Sequence, residues 1–133
     1  MEHTAYAIKT KVDLDYHGAI SKVTEELKKE GFGVLTEINV KNTLKQKLGV
    51  EFRNYVILGA CNPPLAHSVL QADIDIGLLL PCNVTVYEDD DGKVVVAAMD
   101  PSAVLGVVDD PKIAATAAEV RSCVERVIAA MAR

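Results

Sequence analysis

The run Asn54 to Cys61 limits the possible folds more than any other segment. At a period of two, Tyr55 and Ile57 fall on one side and Val56 and Leu58 on the other. A strand that is apolar on both faces has to be covered on both. Lys93 to Met99 repeats the pattern, with Val94, Val96 and Ala98 against Val95, Ala97 and Met99. The cover has to come from the rest of a chain of 133 residues, a length that suits a single domain spanning 1–133.

Only two segments carry a long helical stripe. In the first, Tyr16, Ile20, Val23 and Leu27 recur at helical spacing, with Asp13 or Asp15 as N-cap and Gly31 as the stop. In the second, Pro111 follows an Asp109-Asp110 start, and Ile113, Ala117, Val120, Val124, Val127, Ile128 and Met131 form the stripe. Residues 5–12 alternate, with Tyr6, Ile8, Thr10 and Val12 opposite Lys9 and Lys11, and read as a first strand. Val34 to Val40 reads as a second strand, and Lys41 to Leu48 as a short helix or turn closed by Gly49. Asn62-Pro63-Pro64 starts a helix that runs to about Leu70, and Asp73 to Leu80 is a turn or short helix ending at Pro81. Asn83 to Glu88 and Lys93 to Met99 are strands joined by a hairpin turn at Asp89-Asp90-Asp91-Gly92.

The expected fold is therefore α+β: a two-layer sandwich of order β-α-β4-α, with an antiparallel sheet and two main helices on one face. Two helices cover one face only. The apolar surplus on the other face, Val95 included, predicts a partner surface, most simply a symmetric homodimer.

Charge and composition exclude several roles. A net charge of −5 opposes binding along a nucleic-acid backbone or on an anionic membrane surface. No apolar run approaches the roughly 20 residues of a membrane span. The polar start Met1-Glu2-His3-Thr4 lacks a signal-peptide pattern, so the chain is expected to be cytoplasmic. Three cysteines at irregular spacing do not form a disulfide framework.

Chemistry concentrates at Cys61 and Cys82. Cys61 ends one strand and Cys82 begins the next, so antiparallel pairing places them side by side despite the helical excursion between them. Each is followed by an asparagine, giving Cys61-Asn62 and Cys82-Asn83. Cys61 also directly precedes a helix N-terminus, where the helix dipole favours a thiolate. His67 lies on the first turns of that helix. Cys61, Cys82 and His67 would together suit a transition metal such as zinc, copper or iron, with an open fourth position. The opposing reading treats the thiols as small apolar packing groups, since the spacing specific to redox pairs and zinc knuckles is absent. Cys123 lies beside the last helical stripe and reads as core. Lys41, Lys45, Lys47 and Arg53, and the run Glu88 to Asp91, read as solvated surface; His3 falls at an expected frayed end.

Three stretches carry a family resemblance: Gly31 to Ile38, Leu58 to Ala66 and Gly77 to Val84. They resemble the bacterial and archaeal domain-of-unknown-function family 302 over nearly the whole chain. The resemblance implies a β-α-β4-α fold grouped with TATA-binding-protein-like folds, often dimeric, with no assigned reaction. Cys61, Asn62, Cys82 and Asn83 carry over onto its motif; His67 does not. Three functions follow as expectations: a thiol site that binds metal or responds to redox state, a small-ligand-binding or protein-interaction dimer without catalysis, and a transfer or hydrolytic enzyme with Cys61 as nucleophile. The enzyme would need a base that only His67 offers nearby.

Overall fold

A computed structural model of the chain describes residues 1–132. Its strands are β1 (Glu2–His3), β2 (Ala7–Val12), β3 (Gly33–Asn39), β4 (Tyr55–Cys61), β5 (Cys82–Glu88) and β6 (Val94–Met99). Its helices are α1 (Tyr16–Lys29), α2 (Val40–Leu48), α3 (Pro63–Ala72), α4 (Pro101–Leu105) and α5 (Pro111–Met131), with a 3₁₀ turn at Ile74–Leu79. The strands form one antiparallel sheet in the order β1-β2-β6-β5-β4-β3. The α+β sandwich expected from periodicity is thus observed, with two additions.

The first addition is β1. His3 pairs with Ile8 instead of fraying, and its Nε2 stands 3.8 Å from Glu125 Oε2 on α5. A two-residue strand has too little pattern to be read from sequence. The second is α4, opened by Asp100. This buried carboxylate accepts from Ser102 N at 2.9 Å and Ala103 N at 3.4 Å, and from Arg121 Nε at 3.2 Å. The cap and the ion pair together satisfy a charge that would otherwise be costly to bury.

The helices form where their stripes demanded. Asp15 caps α1, accepting from Gly18 N at 2.7 Å, and Tyr16, Ala19, Val23 and Leu27 are buried. Asp110 caps α5, and every residue of its expected stripe is buried. Cys123 is buried on the same helix, as expected of a packing group. Arg126 joins α5 to the end of α1, donating to Glu30 from Nε at 2.9 Å. The hairpin turn closes at Gly92, at φ +76°, with Asp89 Oδ1 accepting from Asp91 N and Lys93 N at 2.9 Å each.

Two apolar clusters result. The larger lies between the sheet and helices α1 and α5. The smaller joins Val69 of α3, Ile76 of the 3₁₀ turn, Leu105 of α4, and Ile113 and Ala117 of α5. The excursion between β4 and β5 thus brings its own core instead of extending the first.

The sheet face away from α1 and α5 is less bare than its sequence suggests. Val95, expected to be free for a partner, is only 5% exposed within the single chain. Its cross-strand neighbours, on the same face of the sheet, are the long side chains of Lys11 and Tyr87. Tyr87 stacks in turn on Tyr55, with ring centroids 5.2 Å apart. Among the described residues, no helix is long and apolar enough to cross a membrane.

Candidate functional site

The β4–β5 ladder sets Ala60 opposite Cys82 and Gly59 opposite Asn83. Cys61 lies one residue further along, so the ends of the two strands bring the cysteines together as their order predicted. All three cysteines are free thiols. Between them, α3 and the 3₁₀ turn leave the sheet and return to it, and the returning peptide Leu80–Pro81 is cis.

The two Cys-Asn pairs look alike in sequence but do different work. Asn62 caps α3: its Oδ1 accepts from Leu65 N at 3.3 Å, and its Nδ2 donates to Glu30 O at 3.5 Å. It therefore ties the start of α3 to the end of α1. The neighbouring Gly31 sits at φ +82°, where an added Cβ would stand 2.9 Å from that same Nδ2. Asn83 lies within β5, is exposed, and shares the open side of the sheet with Gly59.

A cavity of about 380 Å³ opens where the strand ends meet the excursion. Its floor is buried and apolar: Phe32, Ala60, Val69, Leu105 and Val120. Its sides carry Cys61, Asn62, Leu65 and Ala66 from the first Cys-Asn stretch, and Leu80, Pro81 and Cys82 from the second. Leu35, Thr36 and Gly77 are exposed and mark the mouth, Leu35 at 69%. Phe32, Ala60 and Val120 pack with the main core or line its edge, whereas Val69 and Leu105 belong to the second. The cavity is the seam between the two.

Close approach at the mouth depends on Gly59. A Cβ there would fall inside contact distance of Thr36 Oγ1 and 2.9 Å from Pro81 Cγ. The bulge in β3 between Val34 and Thr36 gives Leu35 its outward position.

The electrostatics at Cys82 do not fit a thiolate. Burial, reinforced by the neighbouring Cys61, pushes the Cys82 thiol up from 9.0 to about 11. It is a neutral S–H near pH 7, a weak donor that packs as an apolar group. The expected metal set of Cys61, Cys82 and His67 is not assembled. Among the described residues, no group of three or more His, Cys, Asp or Glu is placed to hold a metal ion. His67 stands exposed on α3 and is not part of the cavity wall, because its helical position turns it away from Leu65, Ala66 and Val69. The base proposed for a Cys61 nucleophile is thereby missing from the cavity.

Sequence inspection missed most of the wall. Phe32, Leu65, Leu80, Thr116 and Val120 carry no chemical signature on their own. A signal was nonetheless present: the stretches Gly31 to Ile38, Leu58 to Ala66 and Gly77 to Val84 each supply residues to the cavity.

Comparison with known proteins agrees with this outline. The family model "Domain of unknown function DUF302" matches residues 8–131. The crystal structure of an uncharacterized conserved DUF302 protein from Bacillus stearothermophilus superposes with a TM-score of 0.89 at 29% identity, over 96% of this chain and 99% of that one. No curated protein matches.

Proposed function

The chain belongs to the DUF302 family, a family of unknown function, and on that premise we propose that it is a small-ligand-binding domain whose site is the cavity between the β4–β5 strand ends and α3. The observation that carries the reading is the meeting of the three family-resemblance stretches around one open, apolar hollow. Binding sites for small molecules are concave, mostly apolar and supplied with a few fixed polar groups. This one is almost wholly apolar on its inner surface, with Asn62, Thr36 and Thr116 as the polar residues of its wall. Its volume falls in the usual range of about 300–1,000 Å³. In this reading the thiols are wall groups, Cys82 in its neutral form, and no catalytic step is assigned to them.

The test uses N-phenylnaphthylamine, a neutral dye that fluoresces in apolar surroundings. Wild type is expected to bind it. Ala66→Phe, which places a ring in the hollow, is expected to abolish binding while keeping the far-ultraviolet dichroism. Equal dye binding by wild type and a folded Ala66→Phe variant would refute the site.

A second copy of the chain is the proposed partner, through the open sheet face. Support comes from Tyr6, which is 70% exposed, and from the half-buried Ile57, Ala97 and Met99 on the same face. Sedimentation velocity is expected to give twice the 14.3 kDa chain mass, and Tyr6→Glu to return it to one chain. A single 14.3 kDa species for wild type at micromolar concentration would overturn this.

A further inference from the structure

We infer that the cavity takes an electrically neutral amphiphile and rejects carboxylates of the same shape, an inference that rests on the ligand-binding reading above. The first support is the wall itself: among the described residues, no Lys, Arg, His, Asp or Glu lines it. A buried carboxylate needs a cation or several backbone N–H groups to offset its lost hydration.

The second support lies at the N-terminus of α3, beside Asn62 in the wall. A helix N-terminus is ordinarily a ready anion site, because its first N–H groups are free and the dipole points at the ligand. Here the donors of the first four helical positions are removed or occupied. Pro63 and Pro64 fill the first two positions and carry no N–H. The Leu65 N–H donates to Asn62 Oδ1 at 3.3 Å, and the Ala66 N–H donates to Asn62 O at 2.9 Å. What remains of Asn62 is an amide whose oxygen is already used and whose nitrogen donates to Glu30 O. Thr36 and Thr116 complete the polar residues of the wall, and the surface that the cavity presents to a ligand is almost wholly apolar. Such a wall suits an apolar chain whose one polar group is uncharged, a hydroxyl, ester or ketone that costs little to desolvate compared with a carboxylate. The net charge of −5 adds a small long-range bias in the same direction.

Size sets the scale of the ligand. At roughly 30 Å³ for each small liquid group, about ten carbons and one polar head fill the 380 Å³. A decanol and decanoate pair is therefore the informative probe. Both ligands compete with N-phenylnaphthylamine on the full chain at about pH 7.5, where decanoate is ionised. Decanol is expected to displace the dye at a concentration at least about 30-fold lower than decanoate. Thr116→Lys places a cation on the wall and is expected to improve decanoate at least about tenfold, with decanol little changed. Ala66→Lys serves the same purpose if the first variant fails to fold.

The outcomes separate the two levels of the reading. Decanoate that competes as well as decanol, with no gain from either lysine, overturns the neutral-ligand inference and leaves the site standing. Wild type that binds neither dye nor decanol overturns the site and the inference together.

Discussion

Asn62 offers the sharpest test of how the site is built, because its two bonds can be removed separately. Asn62→Ala deletes the cap on α3, worth about 1 kcal/mol, and the bond from Nδ2 to Glu30 O. That second bond, at 3.5 Å, lies at the limit of useful geometry and adds about 0.5 kcal/mol. The sum is about 1.5 kcal/mol. Unfolding entropy of about 2.1 cal/mol/K per residue gives about 280 cal/mol/K for 133 residues, so each kcal/mol moves Tm by about 3.6 °C. Asn62→Ala should therefore lower Tm by about 5 °C. Asn62→Gly retains a tolerable cap and should lose about 3 °C or less. Asn62→Asp keeps the acceptor for Leu65 N and gains from the helix dipole. Those gains offset the lost Glu30 bond to within about 0.5 kcal/mol. Asn83→Ala, on an exposed position of β5, should change Tm by no more than about 2 °C. Differential scanning calorimetry resolves these steps. If Asp proved as damaging as Ala at position 62, or Ala at 83 as damaging as Ala at 62, the capping account would be wrong.

Further outcomes follow from Cys82 and Gly59. The thiol of Cys82, held near 11, should be alkylated at about pH 7.5 roughly two orders of magnitude more slowly in the folded chain than in denaturant; equal rates would show that burial does not protect it. Because folding holds its proton, the associated stability is present below 9.0 and is lost as pH rises toward about 11, a loss that Cys82→Ala should remove from an alkaline melting series. Gly59→Ala should cost about 1–3 kcal/mol by overpacking against Thr36 and Pro81. Adding Thr36→Ala should recover part of that cost, and strict additivity in the double mutant would deny the contact.

The legible parts of this chain were those where a local pattern and its tertiary setting agree. The stripes of α1 and α5 needed only a sheet to pack on. The Asp89 to Gly92 turn needed only a positive φ at Gly92, and adjacency of Cys61 to Cys82 needed only antiparallel pairing. Two kinds of feature were not legible. Short elements such as β1 and α4 have too few residues to show a period, and α4 exists because buried Asp100 caps it and pairs with Arg121, 21 residues further along on α5. Side-chain surroundings were the other kind. Val95 looked exposed because alternation alone cannot show that its cross-strand neighbours are Tyr87 and Lys11 or that it is buried beside them. His67 looked like a ligand because proximity in sequence says nothing of which way a helical position faces.

The cavity follows from the topology. An insertion between neighbouring strands has to bury its own apolar residues, and here it does so against α4 and the first turns of α5, forming a second cluster around Ile76 and Ile113. The main core grows from the other side, around Val86, Val96 and Ile128. Where two such cores meet, large side chains would close the gap, and close packing would favour them. The seam is instead lined at several places by small residues, Ala60, Ala66, Gly77 and the two cysteines. A gap left between well-packed cores forgoes dispersion contacts on every wall and lowers stability. Stability alone would select side chains that fill it, and natural chains commonly forgo such gains where function needs the space. The small residues of this seam lie in the stretches that also carry the family resemblance, which is why the ligand reading is placed at the seam and not on the broader open face of the sheet.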